Sequence, residues 1–203
     1  MIKIYGSPAS SAGRCYWMLE ELSLPYEQMP LSLKDREHKS AAYLELNPNG
    51  KIPTMIDGDY VLWESMAITY YLAKKSQSSL AAKNLEEEGH IMKWNLWALA
   101  ELQKPTIDWF IQENFVPAER RDHKVIDTAK EKLPALLQAL DVSLKNQSYL
   151  VGSRFTVADL NVASVVGLLL GLRYDLSSYG EVTRWMNQIK DRPAFQKMLS
   201  MRK

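Results

Sequence analysis

Cysteine is almost missing from this chain. Cys15 stands alone among 203 residues, so no internal disulfide can form, and a reducing compartment fits. Histidine is nearly as scarce: His38, His90 and His123 lie far apart. With no HExxH pair and no paired-cysteine spacing, no metal site is signalled. Charge of one sign is lacking too, since 25 basic side chains against 24 acidic ones leave +1 at neutral pH. That balance offers no electrostatic footprint for a nucleic acid or an anionic membrane. Arg120-Arg121 is flanked by Glu119 and Asp122 and reads as a solvated helix start. Long apolar runs are absent. The longest, Val162 to Leu172, is broken by Ser164, Gly167 and Gly171 and reaches about half a membrane span. The N-terminus, MIKIYGSPASSAGRCYWMLEEL, has neither the apolar core of about 7–15 residues nor the cleavage signal of a secretory leader, so the cytoplasm is the expected location. The phosphate-cradling GxxxxGK(S/T) and GxGxxG loops and the GxSxG nucleophile elbow do not occur.

What remains is an ordinary globular composition, 46% hydrophobic and 24% charged. At about 100–200 residues per domain, the length admits one large domain or two small ones. The first part alternates element types. Ile2–Tyr5 is a short β-type run, and Gly6 to Ser11 is small and turn-prone. Gly13 to Leu22 turns helical, with Tyr16, Leu19 and Leu22 three apart. Tyr26–Met29 reads as a strand between Pro25 and Pro30, and Ala41–Leu46 as a short helix stopped at Asn47-Pro48. Thr54–Ile56 and Tyr60–Trp63 flank Asp57-Gly58, a strong hairpin signal, and Glu64 to Lys75 returns to helix. The order is β-α-β-α-β-β-α.

Ser76–Asn84 reads as a linker, and beyond it the periodicity is helical. Leu85–Glu113 should be one long helix that Pro105 kinks or ends in part, and Asp122–Leu144 a second that bends at Pro134. Val157–Leu172 is apolar almost all round and should be the central buried helix, followed by Glu181–Lys190 and Ala194–Met201. Thr156 and Asp159 fit a reciprocal helix cap, with Phe155 and Leu160 as its apolar staple, which makes Asp159 structural rather than catalytic. Two domains follow: an α/β domain over residues 1-77 and an all-α helical domain over residues 84-203.

Three segments carry a resemblance. Tyr5-Gly6-Ser7-Pro8-Ala9-Ser10-Ser11 leads into a helix ending LEELSLPYE. His38-Lys39-Ser40 precedes Asn47-Pro48-Asn49-Gly50-Lys51-Ile52-Pro53, then Asp57-Gly58-Asp59 and Trp63-Glu64-Ser65-Met66-Ala67-Ile68. Leu150-Val151-Gly152-Ser153-Arg154-Phe155-Thr156-Val157-Ala158-Asp159 precedes Arg192-Pro193-Ala194-Phe195. In this order, across nearly the whole chain, they resemble the cytosolic glutathione transferase family, in a serine-type bacterial form with a phi-, theta- or chi-like first loop. The resemblance implies a thioredoxin-like N-terminal domain, an all-α bundle behind it and a homodimer. It also implies reduced glutathione as cosubstrate, with no tightly bound cofactor.

The residue types suit that chemistry. A strand, a turn of small hydroxyl residues and a helix start together make an anion site, and the anion here is the glutathione thiolate. A hydrogen bond to a charged group is worth about 1.5–3 kcal/mol and a helix end about 0.3–1. At roughly 1.4 kcal/mol per pH unit, together they lower the thiol pKa by about one to two. A phi-like alignment puts the donor at Ser11, the favoured assignment, and a theta- or chi-like alignment puts it at Ser10; the other serine is then the helix cap. Tyr5 ends the strand and reads as core, and Cys15, inside the helix, as a packed residue rather than a redox centre.

The resemblance also implies a cis Ile52-Pro53 bond whose Ile52 amide and carbonyl pair with the cysteinyl part of glutathione. Ser65 and its helix start then suit the γ-glutamyl carboxylate, and Glu64 the ammonium. His38, Lys39 and Lys51 resemble positions that meet the glycine carboxylate, with Lys51 where a glutamine is common. Candidate walls of an electrophile pocket between the domains are Ala9, Trp97, Glu101, Leu102, Pro105 and Trp109. The reading is a transferase that joins the glutathione thiolate to a hydrophobic electrophile in detoxification. Glutathione-dependent peroxide reduction or isomerisation, and a non-catalytic glutathione-binding module, are the alternatives.

Overall fold

Ile2–Tyr5 forms β1, with Ile2 and Ile4 buried and Lys3 and Tyr5 half-buried, the period-two alternation of a strand with one core face. The structure, a computed structural model, describes residues 1–202. Helix α1 (Gly13–Glu21) follows, then β2 (Tyr26–Met29), a short 3₁₀ turn at Glu37–Lys39, and α2 (Ala41–Leu46). The hairpin β3 (Thr54–Asp57) and β4 (Tyr60–Trp63) turns at Gly58, whose φ of +63° suits glycine, and leads into α3 (Ser65–Lys75). Among the described residues the strands make one sheet in the order β2-β1-β3-β4. β1 and β2 run parallel, and β3 runs antiparallel to β1 and β4. This mixed sheet with its helices is a thioredoxin-like arrangement. Trp17, Tyr16, Met18 and Leu19 of α1 are fully buried.

The expected single helix over 85–113 is three pieces. α4 (Leu85–Trp97) widens into a π-helical turn at Ala98–Leu102 before α5 (Gln103–Phe115). Pro105 sits in the first turn of α5, where its missing N–H costs least, and the wide turn ahead of it absorbs the interruption. α6 (His123–Leu144) runs through Pro134, and α7 (Val157–Gly171) is buried almost all round, as its composition requires. α8 (Gly180–Lys190) and α9 (Pro193–Ser200) complete the described chain.

Asp159 stitches the helical part together. Its Oδ2 accepts the Thr156 amide and hydroxyl, each at 2.9 Å, and its Oδ1 accepts the Leu150 amide at 2.8 Å and the Trp185 indole N–H at 3.0 Å. The reach back to the cap amide is as the spacing predicts. The Thr156 side chain accepts the Asp159 amide in return, which completes the reciprocal cap, while its hydroxyl also donates to the carboxylate; Leu150 and Trp185 are partners that local sequence could not reveal.

Contacts gather the chain into two units, Met1–Ala81 with the tail from Asp191, and Ala82–Lys190. The tail therefore groups with the sheet rather than with the preceding helices, unlike a helical domain drawn over 84–203. α9 lies on α1, with Phe195 edge-on to Trp17 at 4.7 Å and Arg192 bidentate to Glu21 at 2.6 and 2.7 Å.

Candidate functional site

Strand register decides what meets at one end of the sheet. Tyr5 lies opposite Thr54, and Thr54 opposite Trp63. So the loop after Tyr5, the turn before Thr54 and the helix start after Trp63 share one edge. Gly6, at φ +117°, lets them close up: a Cβ there would meet Ile52 Cβ at 3.1 Å and Ala12 Cβ at 3.3 Å. The buried Cys15 thiol donates to the Ser65 carbonyl at 3.7 Å, joining α1 to the start of α3. Burial pushes the Cys15 thiol up to about 12, against the lowering influence of Arg14, so it stays protonated. It is packing, not a nucleophile. Tyr5 meets Tyr43 edge-on at 5.7 Å, within the fold.

The two serines differ. Ser10 Oγ donates to the Ser7 carbonyl at 2.6 Å and accepts the Ala12 amide at 3.2 Å. It is committed to the turn. The half-buried Ser11 makes no hydrogen bond with its hydroxyl among the described residues. Helix α1 begins after Ala12 with no side-chain cap. Helix α3 begins after Glu64, again with no side-chain cap, and Glu64 itself stands at φ 73°, a conformation costly for a side-chain-bearing residue. By contrast α2, α4 and α6 are capped by Ser40, Asn84 and Asp122. At α1 the Ala12 and Gly13 amides turn to Ser10 and the Cys15 amide to the Ala12 carbonyl, whereas the start of α3 leaves the Ser65, Met66 and Ala67 amides without a partner among the described residues, and both starts turn a positive dipole end to one sheet edge.

Between them, Ile52-Pro53 is cis. The Ile52 amide and carbonyl have no hydrogen-bond partner among the described residues. The Lys51 carbonyl, in contrast, accepts Tyr43 Oη at 2.7 Å and Asn47 Nδ2 at 2.8 Å. His38 and Lys39 reach the same turn, with Lys39 Nζ donating to the Asn49 carbonyl at 3.2 Å and a Gly50 Cβ fitting only 2.8 Å from the His38 carbonyl. Lys51 is exposed beside them. Ser10, Ser11, His38, Lys39, Lys51, Ile52, Pro53, Glu64 and Ser65 therefore all belong to the first unit. Tyr43 and Asn47 were missed as site residues; both sit in an apolar-looking helix and its stop, and only the folded turn reveals their donors.

The proposed pocket walls divide. Ala9 is exposed in the first unit. In the second, Glu101 and Pro105 line a cavity of about 590 Å³ with Lys104, Val125, Ala129 and Leu136. Leu102 has no accessible surface and Trp109 keeps 7%, so both pack the interior instead of walling an open pocket. Trp97 is half-buried and edge-on to Trp94 at 5.2 Å. Among the described residues no cluster of His, Cys, Asp and Glu could hold a metal ion, and no helix is long and apolar enough to cross a membrane.

Fold and site together define a thioredoxin-like protein with an appended helical region, its candidate site residues gathered at one edge of the sheet. Residues 1–74 match the family described as the glutathione S-transferase N-terminal domain, and residues 106–193 match the corresponding C-terminal domain. The chain is 33% identical to glutathione S-transferase 1 of Zea mays, covering 100% of this chain and 97% of that protein. It is 30% identical to glutathione S-transferase GstB of Escherichia coli K12, covering 98% of each. A theta class glutathione S-transferase from Xanthomonas axonopodis pv. citri, solved with glutathione bound, superposes with a TM-score of 0.91 at 30% identity, over 97% of this chain and 95% of that one. The chain belongs to the glutathione S-transferase family.

Proposed function

We propose that the chain is a glutathione transferase in which Ser11 donates a hydrogen bond to the glutathione sulfur, holds it as thiolate and directs it at an electrophilic carbon. The observation that carries this reading is the uncommitted Ser11 hydroxyl at an uncapped helix start, beside the unpaired Ile52 backbone. Thiolate attack forms the C–S bond and expels the electrophile's leaving group, with no covalent enzyme intermediate. Ser10, bonded within its turn, keeps the loop in shape. Ile52 takes the cysteinyl backbone. Ser65 and the open start of α3 take the γ-glutamyl carboxylate, Glu64 takes the ammonium, and His38, Lys39 and Lys51 form the polar rim for the glycine carboxylate.

The electrophile is a small hydrophobic molecule, and the cavity holding Glu101 and Pro105 supports the helical unit as a source of its walls. The protein acts as a homodimer in the cytoplasm, in detoxification. An exposed apolar stripe at Met92, Leu96 and Leu99, on one face of α4 and its π turn, supports association with a second copy. Sedimentation of the purified protein tests the dimer.

The function is tested by supplying glutathione with chlorodinitrobenzene, cumene hydroperoxide and hydroxyethyl disulfide in parallel. Conjugation should dominate. Turnover only on the peroxide or disulfide would move the reading to reduction on the same thiolate, and tight glutathione binding with no turnover to a binding module. Glu64→Gln and Ser65→Ala should chiefly raise KM for glutathione, by about tenfold for loss of one charge-assisted hydrogen bond. A change confined to KM for the electrophile would refute the γ-glutamyl placement.

A further inference from the structure

The Lys51–Ile52 peptide is held from one side only. Tyr43 Oη and Asn47 Nδ2 both donate to the Lys51 carbonyl, at 2.7 and 2.8 Å. Thr54 Oγ1 braces the pair, 2.8 Å from Tyr43 Oη and 3.3 Å from Asn47 Nδ2. Asn47 Oδ1 accepts the Asn49 amide at 3.1 Å, which fixes its side-chain flip so that Nδ2 faces Lys51. Tyr43, Asn47 and Thr54 are all buried. Burial also raises the Tyr43 phenol, so it keeps the proton it donates.

A peptide group is planar, and in the trans form its C=O and N–H point in opposite directions. Two buried donors on the Lys51 carbonyl therefore turn the Ile52 N–H away from the interior. That N–H is the one left without a partner among the described residues. Hydrogen bonds to an amide carbonyl also polarise its N–H, strengthening it as a donor by about 10–30% per bond. We propose that Tyr43 and Asn47 are positioning residues that aim and polarise the Ile52 N–H for the cysteinyl carbonyl of glutathione. The proposal rests on the reading that glutathione binds through Ile52.

The test is a cycle between protein and ligand. S-methylglutathione is compared by calorimetry with its analogue ending in glycolate instead of glycine, whose cysteinyl carbonyl is an ester and a weaker acceptor. Wild-type protein should bind the ester about three- to tenfold more weakly, in the range of one hydrogen bond. Tyr43→Phe keeps the ring and its packing on Tyr5. It should weaken binding of the amide about three- to tenfold while shrinking the amide–ester difference towards none. KM for glutathione should rise with kcat at saturation little changed. Asn47→Ala, as a second arm, should repeat the pattern. Loss of equal size for amide and ester would mean general loosening and overturn the proposal, as would wild-type affinity in Tyr43→Phe. If wild-type protein binds neither ligand, the functional reading itself fails, and that outcome is distinct from a bound ligand indifferent to Tyr43.

Discussion

Ser11→Ala removes a hydroxyl that has no hydrogen bond within the described chain, at a half-buried position ahead of α1. Nothing in the fold depends on it, so stability should stay within about 0.5 kcal/mol of wild type. Its effect falls on the ligand. A hydrogen bond to a thiolate is worth about 1.5–3 kcal/mol, and that stabilisation is lost only by the charged form. At roughly 1.4 kcal/mol per pH unit, the bound thiol should titrate about one to two higher. At neutral pH the thiolate fraction, and kcat/KM with chlorodinitrobenzene, should fall by about eight- to twenty-fivefold, with recovery as pH rises. Binding of S-methylglutathione, which has no proton to lose, should barely change. Ser10→Ala is the contrast. It breaks bonds at 2.6 and 3.2 Å inside the turn and should cost about 0.5–2 kcal/mol of stability with a smaller rate effect. A pH–rate profile unchanged in Ser11→Ala but displaced in Ser10→Ala would refute the assignment.

Two further outcomes are expected. Cys15, buried with its thiol pushed up to about 12, should resist iodoacetamide at pH 8 in the native protein and react readily in guanidinium, and conjugation should survive the native treatment; rapid native labelling with loss of activity would contradict its packing role. Asp159→Ala strands four donors, from Leu150, Thr156 twice and Trp185, and should lower stability by about 3–5 kcal/mol in urea unfolding, whereas lost turnover at unchanged stability would make it a functional carboxylate instead.

Local chemistry explains which features were legible beforehand. The Asp57-Gly58 hairpin, the short helix stopped at Asn47-Pro48 and the apolar α7 each follow from a few neighbouring residues, and their bounds fall within one residue of expectation. The mixed sheet order and the grouping of α9 with α1 depend on partners far along the chain. Arg192 meets Glu21 across 171 positions, which no window of sequence contains. The break at Ala98–Leu102 was half visible, since Pro105 marks a disturbance but not the wider turn that absorbs it. In the site, motif order picked out the serine loop, the proline turn and the Glu64-Ser65 helix start. It favoured Ser11 over Ser10 by loop alignment alone, because two adjacent hydroxyls differ only in what the folded turn offers them. Leu102 and Trp109 were misjudged as pocket walls because periodicity marks an apolar face without saying whether that face is covered.

The most direct measurement is a spectroscopic titration of glutathione on the protein, following thiolate absorbance as pH rises. The sulfur should ionise with a midpoint about one to two pH units below the free thiol's roughly 8.5, and Ser11→Ala should return it towards the free value. Saturating ligand whose sulfur ionises only at the free midpoint would contradict an enzyme that works by stabilising the anion.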